Sequence, residues 1–301
     1  MAEKINRPRH DQLFKYLMAD LSFSREFLKF ILPEEKFEEL EISRLMLTKS
    51  SYIDDKLSEN LADVVIKIPY KEAGEEHANL IIIFEHKSYK DDRLPFQLLR
   101  YLSNGYLDQF INSVPRTPIM LVIFYHGKDH WDLKKIREGF SAIHASNLRF
   151  VPDFDWIFIN TNDLDEISLM NLEDALLRSV LLTQKYSHNT KALVSRIETI
   201  ISSLSASKNY HHRNVILLYL TQLVPIEENI IPIIQKTDPH MEKEFVSFYD
   251  YMMNKAEVEG LQKGIEKGIE KGIERGLEKG REEAKLELIF KAEEEGLSLS
   301  L

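Results

Sequence analysis

"LIIIFEHKSY", residues 80–89, ends an uninterrupted apolar run on a glutamate, a histidine and a lysine. A short run rich in isoleucine and phenylalanine, closed by charged residues, reads as a buried strand. Ionisable groups are costly there unless partners compensate them. Side chains alternate along a strand, so Glu85 and Lys87 project from one face and His86 from the other. Just upstream, "ADVVIKIPY" (residues 62–70) is a second strand candidate, and "YKEAGEEHAN" (residues 70–79) has the composition of a turn joining antiparallel neighbours. With that pairing, Asp63 at the start of one strand and Glu85 at the end of the next reach the same edge of the sheet. Two carboxylates and an ammonium are thereby expected to gather at one strand end.

Such a set suits phosphodiester cleavage. Asp63 and Glu85 are candidate ligands for a hard, oxygen-loving cation, Mg²⁺ or another divalent ion such as Mn²⁺ or Ca²⁺, and the backbone carbonyl of His86 is a candidate third donor. Lys87 is a candidate catalytic ammonium that orients the nucleophile or stabilises the developing charge. The plainer alternative is an ion pair between Glu85 and Lys87 at a sheet edge.

The rest of the chain frames this pair. Residues 1–164 read as an α/β domain. "DQLFKYLMADLSFSREFLKFIL" has apolar residues at helical spacing, and Pro33 closes it. "SSYID", "PIMLVIFY" and "FDWIFIN" are further strand candidates, and "RLPFQLLRYLSNGYLDQFINS" is a strong helix. Residues 165–254 carry helical periodicity only, in "DALLRSVLLTQKY", "KALVSRIETIISSL", "NVILLYLTQLV" and "EKEFVSFYDYMM", and read as a helical region. "HHR" (residues 211–213) reads as a solvated loop between two of these helices. Residues 255–301 hold a four-residue repeat, with glycine at 260, 264, 268, 272, 276 and 280. Each interior glycine costs a helix about 1 kcal/mol against alanine, so this tail is a weak helix alone; it reads as an oligomerisation helix or as a marginally ordered, slippage-generated repeat, and a homo-oligomer formed through it and the helical region is expected.

Composition limits the remaining classes. Hydrophobic residues at 44% and aromatics at 10% are ample for a core. The absence of cysteine removes disulfides, thiolate zinc sites and thiol nucleophiles. The net charge of −10 argues against nonspecific coating of nucleic acid. No run approaches the roughly 20 apolar residues of a membrane span, and "MAEKINRPRHDQ" lacks the apolar stretch of a secretory signal. A soluble, cytoplasmic protein with no membrane partner is expected. His126 and His130 in "YHGKDHWD" lack a third ligand at motif spacing and read as turn and packing residues.

Asp63 followed after a hairpin by Glu85-His86-Lys87 resembles the PD-(D/E)XK nuclease signature, with Ala62 where the proline stands. Gln97 and Tyr101 in "QLLRY" resemble the Q-x-x-x-Y element of some branches of that superfamily. The ordered blocks "HDQLFK", "SYID…LADVV", "FEHK", "PFQLLRY" and "PIMLVIFYHG" are similar to the recombination-promoting nuclease family, formerly labelled transposases of the YhgA type. The resemblance implies an α/β restriction-endonuclease-like core and a metal-dependent DNA endonuclease linked to recombination or mobile elements. It makes Asp63 and Glu85 metal ligands and Lys87 the catalytic lysine, with Gln97 and Tyr101 supporting the site or contacting DNA. A catalytically inert DNA- or protein-binding scaffold of the same fold is the alternative, and RNA as substrate stays open.

Overall fold

The computed structural model describes residues 10–48, 63–71, 79–140 and 143–257. The strand candidate "SSYID", residues 72–78 of the turn candidate and the glycine repeat lie outside these residues.

Two helices open the chain, α1 (His10–Met18) and α2 (Leu21–Ile31), with Asp20 capping α2 by accepting from the N–H groups of Ser22 and Phe23. A short α3 (Glu34–Glu38) leads to the sheet. Its five strands, β1 (Met46–Thr48), β2 (Val64–Pro69), β3 (Asn79–Lys87), β4 (Ile119–Tyr125) and β5 (Ile157–Asn160), lie side by side in chain order. The β1–β2 and β2–β3 pairs are antiparallel, whereas β3–β4 and β4–β5 are parallel. The architecture is therefore α/β with a mixed sheet. Strand β1 was not expected from the sequence, because three residues with two exposed side chains carry no readable alternation.

The parallel step from β3 to β4 requires a crossover, supplied by α4 (Leu94–Ile111). Gly105 allows close approach of this helix: a Cβ there would lie 2.5 Å from Ile119 Cδ1. In its last turn, the buried Gln109 side chain accepts from the N–H of Thr117 at 2.7 Å and donates to that residue's carbonyl at 3.0 Å. Both contacts fix where α4 sits over the sheet.

The two faces of β3 meet different elements. Ile81 and Ile83 pack with Val65, Leu98, Tyr101, Leu121 and Ile123 beneath α4. On the opposite face Phe84 and His86 meet Phe14 of α1, and Phe27 of α2 packs on Phe84. With both faces covered, β3 reads as a continuous apolar run rather than an alternating one.

After β5 come α5 (Glu166–Met170), α6 (Ala175–Tyr186), α7 (Thr190–Ala206), α8 (Tyr210–Leu220), α9 (Ile226–Asn229) and α10 (Ile231–Thr237). Asp174, Asn189 and Asn209 cap α6, α7 and α8 through their side chains. Leu181, Leu193, Ile197, Ile200 and Leu217 are buried among these helices, and the set joins the α/β part where α6 packs on α2 and α8 on α1. Here one expectation fails. "HHR" is the first turn of α8, not a solvated loop, with His212 at 7% and Arg213 at 2% exposure. Aromatic rings sheathe these polar groups: Tyr16 lies 5.2 Å from His212, and Tyr210 lies 4.7 Å from the Arg213 guanidinium.

By compactness the chain divides into Met1–Glu242 and Lys243–Leu301. The described residues of the second unit, 243–257, are helical. Among the described residues, no helix is long and apolar enough to cross a membrane.

Candidate active site

The odd-numbered row of β3 runs Ile81, Ile83, Glu85, Lys87. The first two are core, and the same face carries the last two to the strand end beside α4. Glu85 is 5% and Lys87 9% exposed, so both charges are withdrawn from water. They compensate each other: Lys87 Nζ lies 2.9 Å from Glu85 Oε1. The opening residues of α4 complete the shell. Gln97 Nε2 donates to Glu85 Oε1 at 3.0 Å and also to the Tyr101 hydroxyl, while Gln97 Oε1 accepts from Lys87 Nζ at 3.4 Å. The Tyr101 hydroxyl in turn donates to Glu85 Oε2 at 3.0 Å. Residues 97 and 101 are one helical turn apart, which is why both reach the same carboxylate.

Asp63 stands just before β2, whose last pairing at this end joins Val64 to Phe84. Its N–H donates to the Phe84 carbonyl at 3.2 Å, and its Oδ2 accepts from the His86 N–H at 2.7 Å. The carboxylate thus stands in for a strand residue at the point where the ladder ends. Its other oxygen, Oδ1, meets Lys15 Nζ from α1 at 2.8 Å.

Burial pushes the Glu85 carboxyl above the ordinary range; the Lys87 ammonium opposes this, and the Asp63 carboxylate reinforces it. That reinforcement also shows that the two carboxylates feel one another. The Tyr101 hydroxyl is likewise raised, first by burial and then by Glu85. A third carboxylate, Asp91, stands near. Burial works to raise it, but the Arg93 N–H and guanidinium together with Lys87 hold it below its usual range.

The structure therefore brings Asp63, Glu85, Lys87 and Gln97 together. The His86 imidazole does not join them. It lies on the opposite face, stacked 5.0 Å from Phe14 and 4.6 Å from the His126 ring, so only its backbone faces Asp63. Two neighbours had no role from sequence. Lys15 is far from Asp63 along the chain, and no spacing rule links them. Asp91, in "KDDR", reads locally as a turn residue.

The donors suit a hard cation. Asp63 and Glu85 offer carboxylate oxygens, the His86 carbonyl a neutral one, and two ammoniums already balance the negative charge around them. Among the described residues, no three side chains of histidine, cysteine, aspartate or glutamate form a metal-binding group. Any cation held here would depend on two carboxylates with backbone or water oxygens.

The chain resembles several known proteins. The chain is 31% identical over 121 residues to recombination-promoting nuclease RpnD of Escherichia coli O157:H7, covering 39% of this chain and 45% of that protein. It is 31% identical over 130 residues to recombination-promoting nuclease RpnA of Escherichia coli K12, covering 42% and 43%. It is 26% identical over 129 residues to the inactive recombination-promoting nuclease-like protein RpnE of the same strain, covering 42% of each. The matches thus span less than half the length of these relatives. No solved structure matches the chain. The family model described as "Putative transposase, YhgA-like" matches residues 8–214, which takes in all five strands, α4 and the site, and the chain belongs to this family of recombination-promoting nucleases and their relatives.

Proposed function

We propose that this chain is a metal-dependent DNA endonuclease with a restriction-endonuclease-like core, acting in recombination or on mobile elements. The observation that carries the reading is the buried Glu85–Lys87 pair beside Asp63, locked by Gln97 and Tyr101. A simple Glu85–Lys87 ion pair leaves unexplained the second carboxylate, Asp63, at the same strand end. The names of the two nuclease relatives supply the substrate class.

Asp63, Glu85 and the His86 carbonyl would hold Mg²⁺ or a similar divalent ion, which supplies Lewis acidity toward the phosphodiester and lowers the pKa of a water. Lys87, fixed by Glu85 and Gln97, presents its ammonium to the charge that builds on the phosphate oxygens. Tyr101 and Gln97 hold the Glu85 carboxylate in one orientation, and α4 with its packed sheet face excludes bulk water from that side. Self-association through residues 165–254 and the tail belongs to the same proposal.

The direct test is nicking of supercoiled plasmid by the full chain. Nicking is expected with Mg²⁺ or Mn²⁺ and should stop when a chelator is added. No nicking with any divalent ion favours the inert scaffold, a reading that the inactive relative RpnE gives reason to keep. Tyr101→Phe should fold normally and nick about tenfold more slowly, since it removes one donor from a buried metal ligand. A rate equal to wild type would show that Tyr101 does not hold Glu85.

A further inference from the structure

Two ammoniums touch the two candidate ligands, and their settings differ. Lys87 is a fixture: its side chain is 10% exposed and bonded to both Glu85 and Gln97. Lys15 is 47% exposed and reaches Asp63 from the helix covering the opposite face. Its backbone is held, because the adjacent Phe14 stacks on His86 and Phe124. Its side chain is about half open to water.

The oxygens of Asp63 divide in the same way. Oδ2 is engaged by a strand N–H and stabilises the end of β3. Oδ1 meets the half-exposed Lys15 ammonium at 2.8 Å. A divalent cation entering between Asp63 and Glu85 needs a carboxylate oxygen, and it repels an ammonium on the same carboxylate. Resting on the nuclease reading above, we propose that Lys15 occupies Asp63 Oδ1 in the resting chain and yields it when a divalent cation binds, so that Lys15 sets the metal affinity of the site. Lys15 is thus a positioning residue: it acts through Asp63, and it keeps the carboxylate neutralised and aimed until the cation arrives.

The test is Mn²⁺ binding by titration calorimetry on the full chain. Lys15→Gln should bind Mn²⁺ about fivefold more tightly than wild type, because the competing charge is gone, whereas Lys15→Arg should stay within about twofold. Equal or weaker binding by Lys15→Gln overturns the proposal. Asp63→Asn separates the two ideas. If it abolishes Mn²⁺ binding while Lys15→Gln changes nothing, the metal site stands and the role of Lys15 falls. If no version binds Mn²⁺, both fall. A second measurement needs no variant: acylation of Lys15 by an amine reagent, read by mass spectrometry on wild-type protein, should rise several-fold when Mn²⁺ is added. Protection of Lys15, or no change, overturns the exchange.

Discussion

Asp63→Asn is expected to reduce plasmid nicking by a factor of about a hundred to a thousand while leaving the fold in place. The size is that of removing one preorganised electrostatic element from a reacting centre. Asparagine is nearly isosteric, and its side-chain oxygen can still accept the His86 N–H that Asp63 Oδ2 takes at 2.7 Å, so the end of β3 keeps its cap. What disappears is the negative charge. With it go one of the two carboxylates that a divalent ion would use and the partner of Lys15. The lost ion pair costs little in stability, because Lys15 is half exposed and such pairs contribute up to about 1 kcal/mol. Rates in the presence of Mg²⁺, measured beside thermal denaturation, check the two halves together. A variant that melts like wild type and still nicks within about tenfold of it removes Asp63 from the chemistry.

Lys87→Met is expected to remove nicking as well, and to destabilise the protein by roughly 3 kcal/mol near neutral pH. The variant keeps the volume of the side chain but leaves Glu85, whose side chain is 7% exposed, as a buried charge without its counterion. The pH dependence follows from the direction of the Glu85 shift. Burial already raises its carboxyl in the presence of Lys87, and loss of the ammonium raises it further. A raised carboxyl pKa means that the folded chain holds the proton more tightly than the unfolded chain. Its stability contribution is full at low pH and is lost as pH rises through the folded value. The penalty of Lys87→Met should therefore be largest at mildly alkaline pH and shrink as Glu85 takes up a proton. The double variant Glu85→Gln/Lys87→Met, with no buried charge left to compensate, should recover most of the loss. Melting temperatures of the single and double variants across pH measure this. Equal destabilisation at all pH values, or a double variant no better than the single one, would mean that the pair is not coupled as described.

Much of this site can be read from the chain. The period of two puts Glu85 and Lys87 on one face, and the turn composition before Asn79 makes β2 and β3 antiparallel neighbours, as they are. Helical spacing places Gln97 and Tyr101 one turn apart at the start of α4. The roles of these residues, the cation and the glycine tail remain expectations drawn from their chemistry.

The sequence by itself determined which side chains share a face, which segments are helical and which strand is buried, because periodicity is a relation between near neighbours. Only the tertiary structure decided that Lys15 meets Asp63, that Asp91 stands near Lys87, that His86 stacks on Phe14 and His126, and that His212 and Arg213 of "HHR" lie buried in α8 rather than in water. These contacts join segments distant along the chain. They arise from the packing of α1 and α4 on opposite faces of β3, and no local pattern records which charge such packing will bring against a given oxygen.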